Sequence, residues 1–224
     1  MKFWFISDTH TRHAQLQIPP ADVVIHAGDE ANQHDPALNA NEARAFFDWY
    51  QGLPIPHKLF VPGNHSVAIE RGLIKPTDYP GIRFLIHEST TVAGWKVFGS
   101  PYTPRFFDWA YMKARQKLEP VWASVPDDVD ILVTHGPPKG VLDLTIDREN
   151  KGLVQVGCNA LRRHVDQRIR PRIHAFGHLH DEIGISNYGQ YTRGGTQFIN
   201  AACCNLRLEL IHPGFVVDMG KKPD

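Results

Sequence analysis

Seven side chains of metal-ligating type recur in a set order along this sequence: Asp8, His10, Asp29, Asn64, His135, His178 and His180. Imidazole suits Zn, Fe, Mn and Ni, and carboxylate or amide oxygens extend the range toward Mn and Mg. In Asp8-Thr9-His10 and His178-Leu179-His180 the outer residues are two apart, so an extended chain presents both on one face. Glycine precedes a ligand at Gly28-Asp29, Gly63-Asn64 and Gly177-His178, where a tight turn and close backbone approach are needed. Other histidines lack such context. His13, His34, His57, His87, His164 and His212 read as surface or structurally bonded residues, and His26 and His174 as buried strand residues.

The elements that must position these groups are short apolar runs at residues 2–7, 22–26, 57–61, 82–86, 96–99, 130–134 and 172–176. Each is too short for a helix and rich in Val, Ile or Phe, as expected of strands covered on both faces. Five of these runs lead directly into ligand groups: Asp8 and His10, Asp29, Asn64, His135, and His178 and His180. Ligands of open α/β sheets bind beyond the carboxyl ends of the strands. The five loops are therefore expected to meet at one sheet edge.

Apolar spacing predicts a helix over 42–51, with Asn41 as N-cap and Gly52 as stop, and a second over 159–170 ended by Pro171. Toward the C-terminus, Leu206, Leu208 and Leu210 alternate with Arg207 and Glu209, which predicts a half-exposed antiparallel strand. Residues 183–188 and 196–200 read as its neighbours, joined through Gly194-Gly195, and Ala93-Gly94 separates two further strands. No repeat or linker interrupts the pattern, so residues 1–224 read as a single α/β domain.

Bulk composition narrows the partners. Lys and Arg together number 24, as do Asp and Glu, so no global charge favours long nucleic acid or an anionic membrane. No run reaches the ~20 apolar residues of a membrane span. Cys158, Cys203 and Cys204 make a poor disulfide framework, and no signal segment is visible, so a reducing, cytoplasmic setting is expected. The basic stretch Arg162, Arg163, Arg168, Arg170 and Arg172 reads as a solvated helix face, and Phe106, Phe107, Trp109 and Tyr111 as packing residues with a base-stacking role open.

The ordered pattern DxH, GD, GNH, single His and GHxH resembles that of the calcineurin-like metallophosphoesterases. The segments 99–104, 134–138, 156–158 and 170–180 are similar to one branch, the small metallophosphoesterase-domain-containing phosphodiesterases, and the likeness covers roughly residues 2–211. The resemblance implies a four-layer α/β/β/α sandwich of two mixed sheets flanked by helices. It implies two divalent ions, with Mn expected and Fe, Zn or a mixed centre as alternatives. Asp8, His10, Asp29 and His180 would hold one ion and Asp29, Asn64, His135 and His178 the other, with Asp29 bridging. His65 is similar to the family histidine that contacts the scissile phosphate, a general-acid candidate. Asp29, Asn64 and His65 form the expected catalytic set; His65, Asn64 and Arg12 are the expected substrate contacts.

The implied reaction is attack on a phosphodiester by a metal-bridging hydroxide. The expected substrate is a cyclic nucleotide such as 2′,3′- or 3′,5′-cAMP. A nucleotide phosphomonoesterase and a non-catalytic nucleotide-binding module are the alternatives. A protein phosphatase is disfavoured, because Asp29 runs into Glu30-Ala31-Asn32 rather than the Arg-Gly extension of those enzymes. Two positions depart from the family pattern: Ser66 stands where an acidic residue is usual, and Glu30 where an apolar one is commoner. Glu30 could face solvent or the site.

Overall fold

Strand β1 (Lys2–Ile6) sends alternate side chains into two different cores. Phe3 and Phe5 join one cluster, while Trp4 and Ile6 join another on the opposite face. This period of two builds the layers throughout the computed structural model, which describes residues 1–147 and 149–222. Next along the chain are β2 (Val23–His26), α1 (Pro36–Gln51), β3 (His57–Phe60), α2 (Val67–Glu70), β4 (Arg83–Phe84), β5 (Glu88–Val92) and β6 (Trp95–Ser100). The short pair β7 (Thr103–Pro104) and β8 (Met112–Lys113) precedes α3 (Glu119–Ala123) and β9 (Ile131–Thr134). A small ribbon, β10 (Leu144–Ile146) with β11 (Leu153–Gln155), leads to α4 (Asn159–His164), β12 (Ile173–Phe176), β13 (Gly189–Arg193), β14 (Thr196–Asn200) and β15 (Phe215–Asp218).

Two sheets result, ordered β15-β1-β2-β3-β4 and β13-β14-β12-β9-β6-β5. Strands β1 to β4 are parallel, and so are β14, β12, β9 and β6; β15, β13 and β5 add antiparallel edges. The sheets share a core in which Phe5, Ile25 and Leu59 of the first pack with Val97, Val133 and Ala175 of the second. The far face of the first sheet is covered by Phe46, Phe47 and Tyr50 of α1; that of the second by Trp122 of α3 and Leu161 of α4. This is the four-layer α/β/β/α sandwich. At the carboxyl edge, Ser7 pairs with Ala202, so the strand ends of the two sheets meet.

All seven apolar runs contain strands, but the helices and C-terminal segment differ from expectation. Helix α1 begins near Pro36, not at Glu42, and Asp35 rather than Asn41 is its N-cap, accepting from the backbone N–H groups of Ala37 and Leu38. The Asp-Pro pair is itself an N-cap and N1 signal. The helix predicted over 159–170 is α-helical only to His164, then widens into a π-helical turn, and ends at Arg170 in a left-handed conformation (φ 44°). Leu206 to Leu210 is not a strand. Asn205 Oδ1 accepts from the N–H groups of both Arg207 and Glu209, and Leu208 has φ 59°, so side-chain turn chemistry overrides the alternating pattern. Likewise 183–188 holds a tight turn at Gly184, and the partner of β14 across Gly194-Gly195 is β13.

Candidate metal centre

Carboxylates and imidazoles gather where β1, β2, β9 and β12 end. Among the described residues, ligand atoms of Asp8, His10 and His180 lie within 4.8 Å of one another, as do those of Asp29, His135 and His178. Asn64 adds to the second group, its Oδ1 standing 2.8 Å from His135 Nε2. The structure thus brings all seven sequence-selected side chains into two adjoining groups.

Backbone conformation shows how tightly the loops are drawn in. Asp8, His10, Asp29 and His178 all have positive φ, at 51°, 39°, 61° and 71°. Such left-handed positions cost on the order of 1–3 kcal/mol each and cluster at functional sites. The glycines bring bare backbone against the ligands: a Cβ on Gly177 would collide with Asp8 Oδ2, and one on Gly63 with Asp29 Oδ1. The His178 N–H donates to both oxygens of Asp8 (3.0 and 2.9 Å), tying the loop after β12 to the loop after β1.

The ring orientations are set from behind. Nδ1 of His10 faces Ala31 O at 3.1 Å, Nδ1 of His135 faces Ala27 O at 2.8 Å, and Nδ1 of His180 faces Asn205 O at 3.0 Å. Each Nδ1 proton therefore points at a carbonyl, and each Nε2 is turned toward the site, the orientation of metal-ligating histidines. This donor set of imidazoles, carboxylates and one amide fits two borderline divalent cations. No thiolate competes, because the Cys204 Sγ is directed at Thr9 O.

Burial opposes every charge here, and partners decide the outcome. It would raise Asp8 and Asp29, but His180 beside Asp8 and His135 beside Asp29 hold both below the usual carboxylate range. Burial pushes His10 down to about 4 and His178 to about 3, so both stay neutral near pH 7. It would also lower His135, yet the Asp29 carboxylate, 3.3 Å away, raises that ring to about 9.

His65 stands apart from the ligand groups. Its Nδ1 faces Asn32 O at 3.1 Å, its ring lies tilted by 35° against Trp109 with centroids 4.0 Å apart, and its backbone N–H donates to Asp29 Oδ1 at 2.7 Å. It lines the cavity beside His10, Asp29, Asn64, His178 and His180. Arg12 does not line that cavity; its Nε donates to Leu208 O. Arg105 and Arg115 line it instead, together with Ile146, with Phe106 and Phe107, expected as packing residues with a base-stacking role open, and with Leu206, expected on a strand. Trp109 and Tyr111 are spent elsewhere, on His65 and on the α1-side core.

Glu30 is fully buried rather than solvent-facing, and burial raises its carboxyl to about 7. The arginines of the 162–172 stretch are largely engaged: Arg162 pairs with Asp166, Arg163 with Glu119 and Arg168 with Asp127, while Arg172 lies over the Trp95 ring.

Known proteins are similar to this chain in sequence and in fold. The calcineurin-like phosphoesterase family model matches residues 1–182. A human relative, metallophosphoesterase domain-containing protein 1, is 32% identical over 243 aligned positions, covering 97% of this chain and 71% of that protein. A Caenorhabditis elegans UPF0046 protein is 34% identical over 223 positions, covering 92% of this chain and 70% of its own length. The solved phosphopantetheinyl hydrolase of Mycobacterium tuberculosis is alike in fold, with TM-score 0.61 at 16% identity over 92% of this chain and 90% of that one. The chain belongs to the calcineurin-like phosphoesterase family.

Proposed function

We propose that this protein is a two-metal phosphodiesterase and that its substrate is a small phosphodiester, a cyclic nucleotide such as 2′,3′- or 3′,5′-cAMP. The observation that carries the reading is the meeting of both ligand groups and His65 along one cavity of about 530 Å³. Volumes in this range accommodate drug-sized organic ligands, far more than a bare phosphate. Asp29, which lies with His135 and His178, would also serve the ion held by Asp8, His10 and His180. Bound divalent ions, with Mn the first choice for this N/O set, would activate water and offset charge on the phosphate oxygens.

The chain's own residues supply the rest. Asn64 orients the phosphate from the second ligand group. His65 Nε2 faces the cavity while Nδ1 is held by Asn32 O, so the ring can deliver a proton to the leaving oxygen from a fixed position. Phe106 and Phe107, about half exposed on the cavity wall, offer ring faces to a base or other organic arm. Arg115 donates to the carbonyls of Val156 and Gly157, which holds its guanidinium at the cavity wall.

The test is hydrolysis by Mn-loaded protein of bis(p-nitrophenyl) phosphate, p-nitrophenyl phosphate and both cyclic nucleotides. Diester turnover exceeding monoester turnover is expected. Preference for the monoester would make the protein a phosphomonoesterase, and tight AMP binding without any turnover would make it a binding module.

A further inference from the structure

The two departures from the family pattern, Glu30 and Ser66, touch each other. Ser66 Oγ donates to Glu30 Oε2 at 2.6 Å and accepts from the Gly63 N–H at 2.9 Å. Both residues have no exposed surface. Ser66 occupies the N-cap position of α2, where serine usually accepts from a helix N–H, yet its side chain makes no capping bond. The hydroxyl has been diverted to the turn that carries Asn64 and His65.

Burying a carboxyl is expensive, and an apolar residue of similar volume would stabilise the fold as well or better. Glu30 is only half compensated, since Oε1 has no hydrogen-bond partner among the described residues. Its position explains what it holds. It follows Asp29 directly, so the Glu30–Ser66 link and the bond from His65 N–H to Asp29 Oδ1 clamp the 63–66 turn onto the 29–30 loop. Other bonds fix the rest of the turn: Asn39 Nδ2 donates to His65 O, and the Ala110 N–H donates to Asn64 O.

We propose that Glu30 is a positioning residue: acting through Ser66, its carboxyl group holds the 63–66 turn so that Asn64 and His65 reach the same phosphate. The proposal rests on the phosphodiesterase reading of the site. It assigns the pair a role in proton delivery to the leaving group, not only in folding.

The experiment compares wild type with Glu30→Ala, Ser66→Ala, the Glu30→Ala/Ser66→Ala double variant, and Glu30→Gln, which keeps an acceptor for the Ser66 hydroxyl. A fifth protein, Glu30→Ala/Ser66→Asp, returns a carboxylate to the turn from the other side. Metal content, thermal midpoint, kcat and KM are measured with aryl phosphodiesters of graded leaving-group pKa. Misplacing a reacting group by about 1 Å can lower rate ~100-fold. The two single alanine variants should therefore lose about 10- to 100-fold in kcat while keeping two metals, with larger losses for poorer leaving groups. The double alanine variant should be no worse than either single one. Glu30→Gln should stay within about threefold of wild type, and the relocated carboxylate should recover most of the loss.

Additive losses, losses independent of the leaving group, or failure of both Glu30→Gln and the relocated carboxylate to retain activity would overturn the proposal. A lowered thermal midpoint with unchanged kcat would make the pair merely structural. These results differ from failure of the underlying reading, in which wild type itself hydrolyses no phosphodiester and the role of Glu30 falls with it.

Discussion

The Nε2 atoms of His10 and His180 face each other at 3.4 Å, although each ring already directs its Nδ1 proton at a carbonyl. Asp8 Oδ1 lies a further 3.1 Å from His180 Nε2; burial would lower His180, but this carboxylate raises its pKa, so a proton shared with Asp8 holds the group together when no cation does. A divalent cation would displace that proton and take the converging atoms as ligands.

Metal should therefore raise thermal stability through this group. At a free Mn²⁺ concentration about 100 times Kd, binding adds ~2.7 kcal/mol. For a chain of this size that corresponds to roughly 5–11 °C. Differential scanning calorimetry of chelator-treated protein with and without Mn²⁺ measures it. His180→Ala should show a much smaller rise; an equal one would mean that the cation binds elsewhere.

His65 should separate chemistry from metal binding. Its ring is fixed by Asn32 O and Trp109 and contacts His10 only edge-on, with ring centroids 4.9 Å apart. His65→Ala should keep its metals and lose about 10²- to 10⁴-fold in kcat, the usual contribution of a general acid. Asp29→Ala should lose metal as well as rate. Parallel metal analysis and kinetics decide, and equal metal loss in both variants would remove the distinction.

Phe106 should act on the organic part of the substrate. It is 51% exposed on the cavity wall, and its ring centroid lies 5.5 Å from that of His178. Stacking of a base on an aromatic side chain is worth ~1–3 kcal/mol. Phe106→Ala should thus raise KM for a cyclic nucleotide about 5- to 150-fold while sparing kcat. Unchanged KM would take the base off this wall.

What was legible in the sequence was the chemistry at strand ends, because each ligand stands immediately beyond a run whose burial on both faces leaves little freedom of placement. The helix over 159–170 was also visible from the stripe of Leu161, Val165 and Ile169. The cavity wall was not. Leu206 and Leu208 line it from a loop closed by the Asn205 side chain, and local polar bonds of that kind leave the alternating apolar pattern intact while removing its meaning. The Glu30–Ser66 contact joins positions 36 residues apart, so neither residue alone disclosed the other. Phe106 and Phe107 read chiefly as packing residues, yet both are about half exposed on the cavity wall, because local composition does not show which way the segment between β7 and β8 faces.

His174 links the core beneath the site to acid stability. It is fully buried, its Nε2 lies 2.8 Å from Thr134 Oγ1, and that hydroxyl already donates to Gly136 O. The ring must then donate from Nε2 and keep Nδ1 as a lone pair, and Nδ1 has no partner among the described residues. Burial lowers its pKa to about 3 from the usual 6.5. Between these values the unfolded chain binds a proton that the folded ring refuses, so stability is full above pH 6.5 and declines as the pH falls toward 3. By pH 5 this residue alone should have removed about 2 kcal/mol relative to alkaline pH, with a slope approaching ~1.4 kcal/mol per pH unit. Urea unfolding of wild type and His174→Leu across that range measures the difference in slope. Coincident slopes would mean that the native ring accepts the proton, contrary to its sealed position between Thr134 and the Phe176 and Phe198 rings.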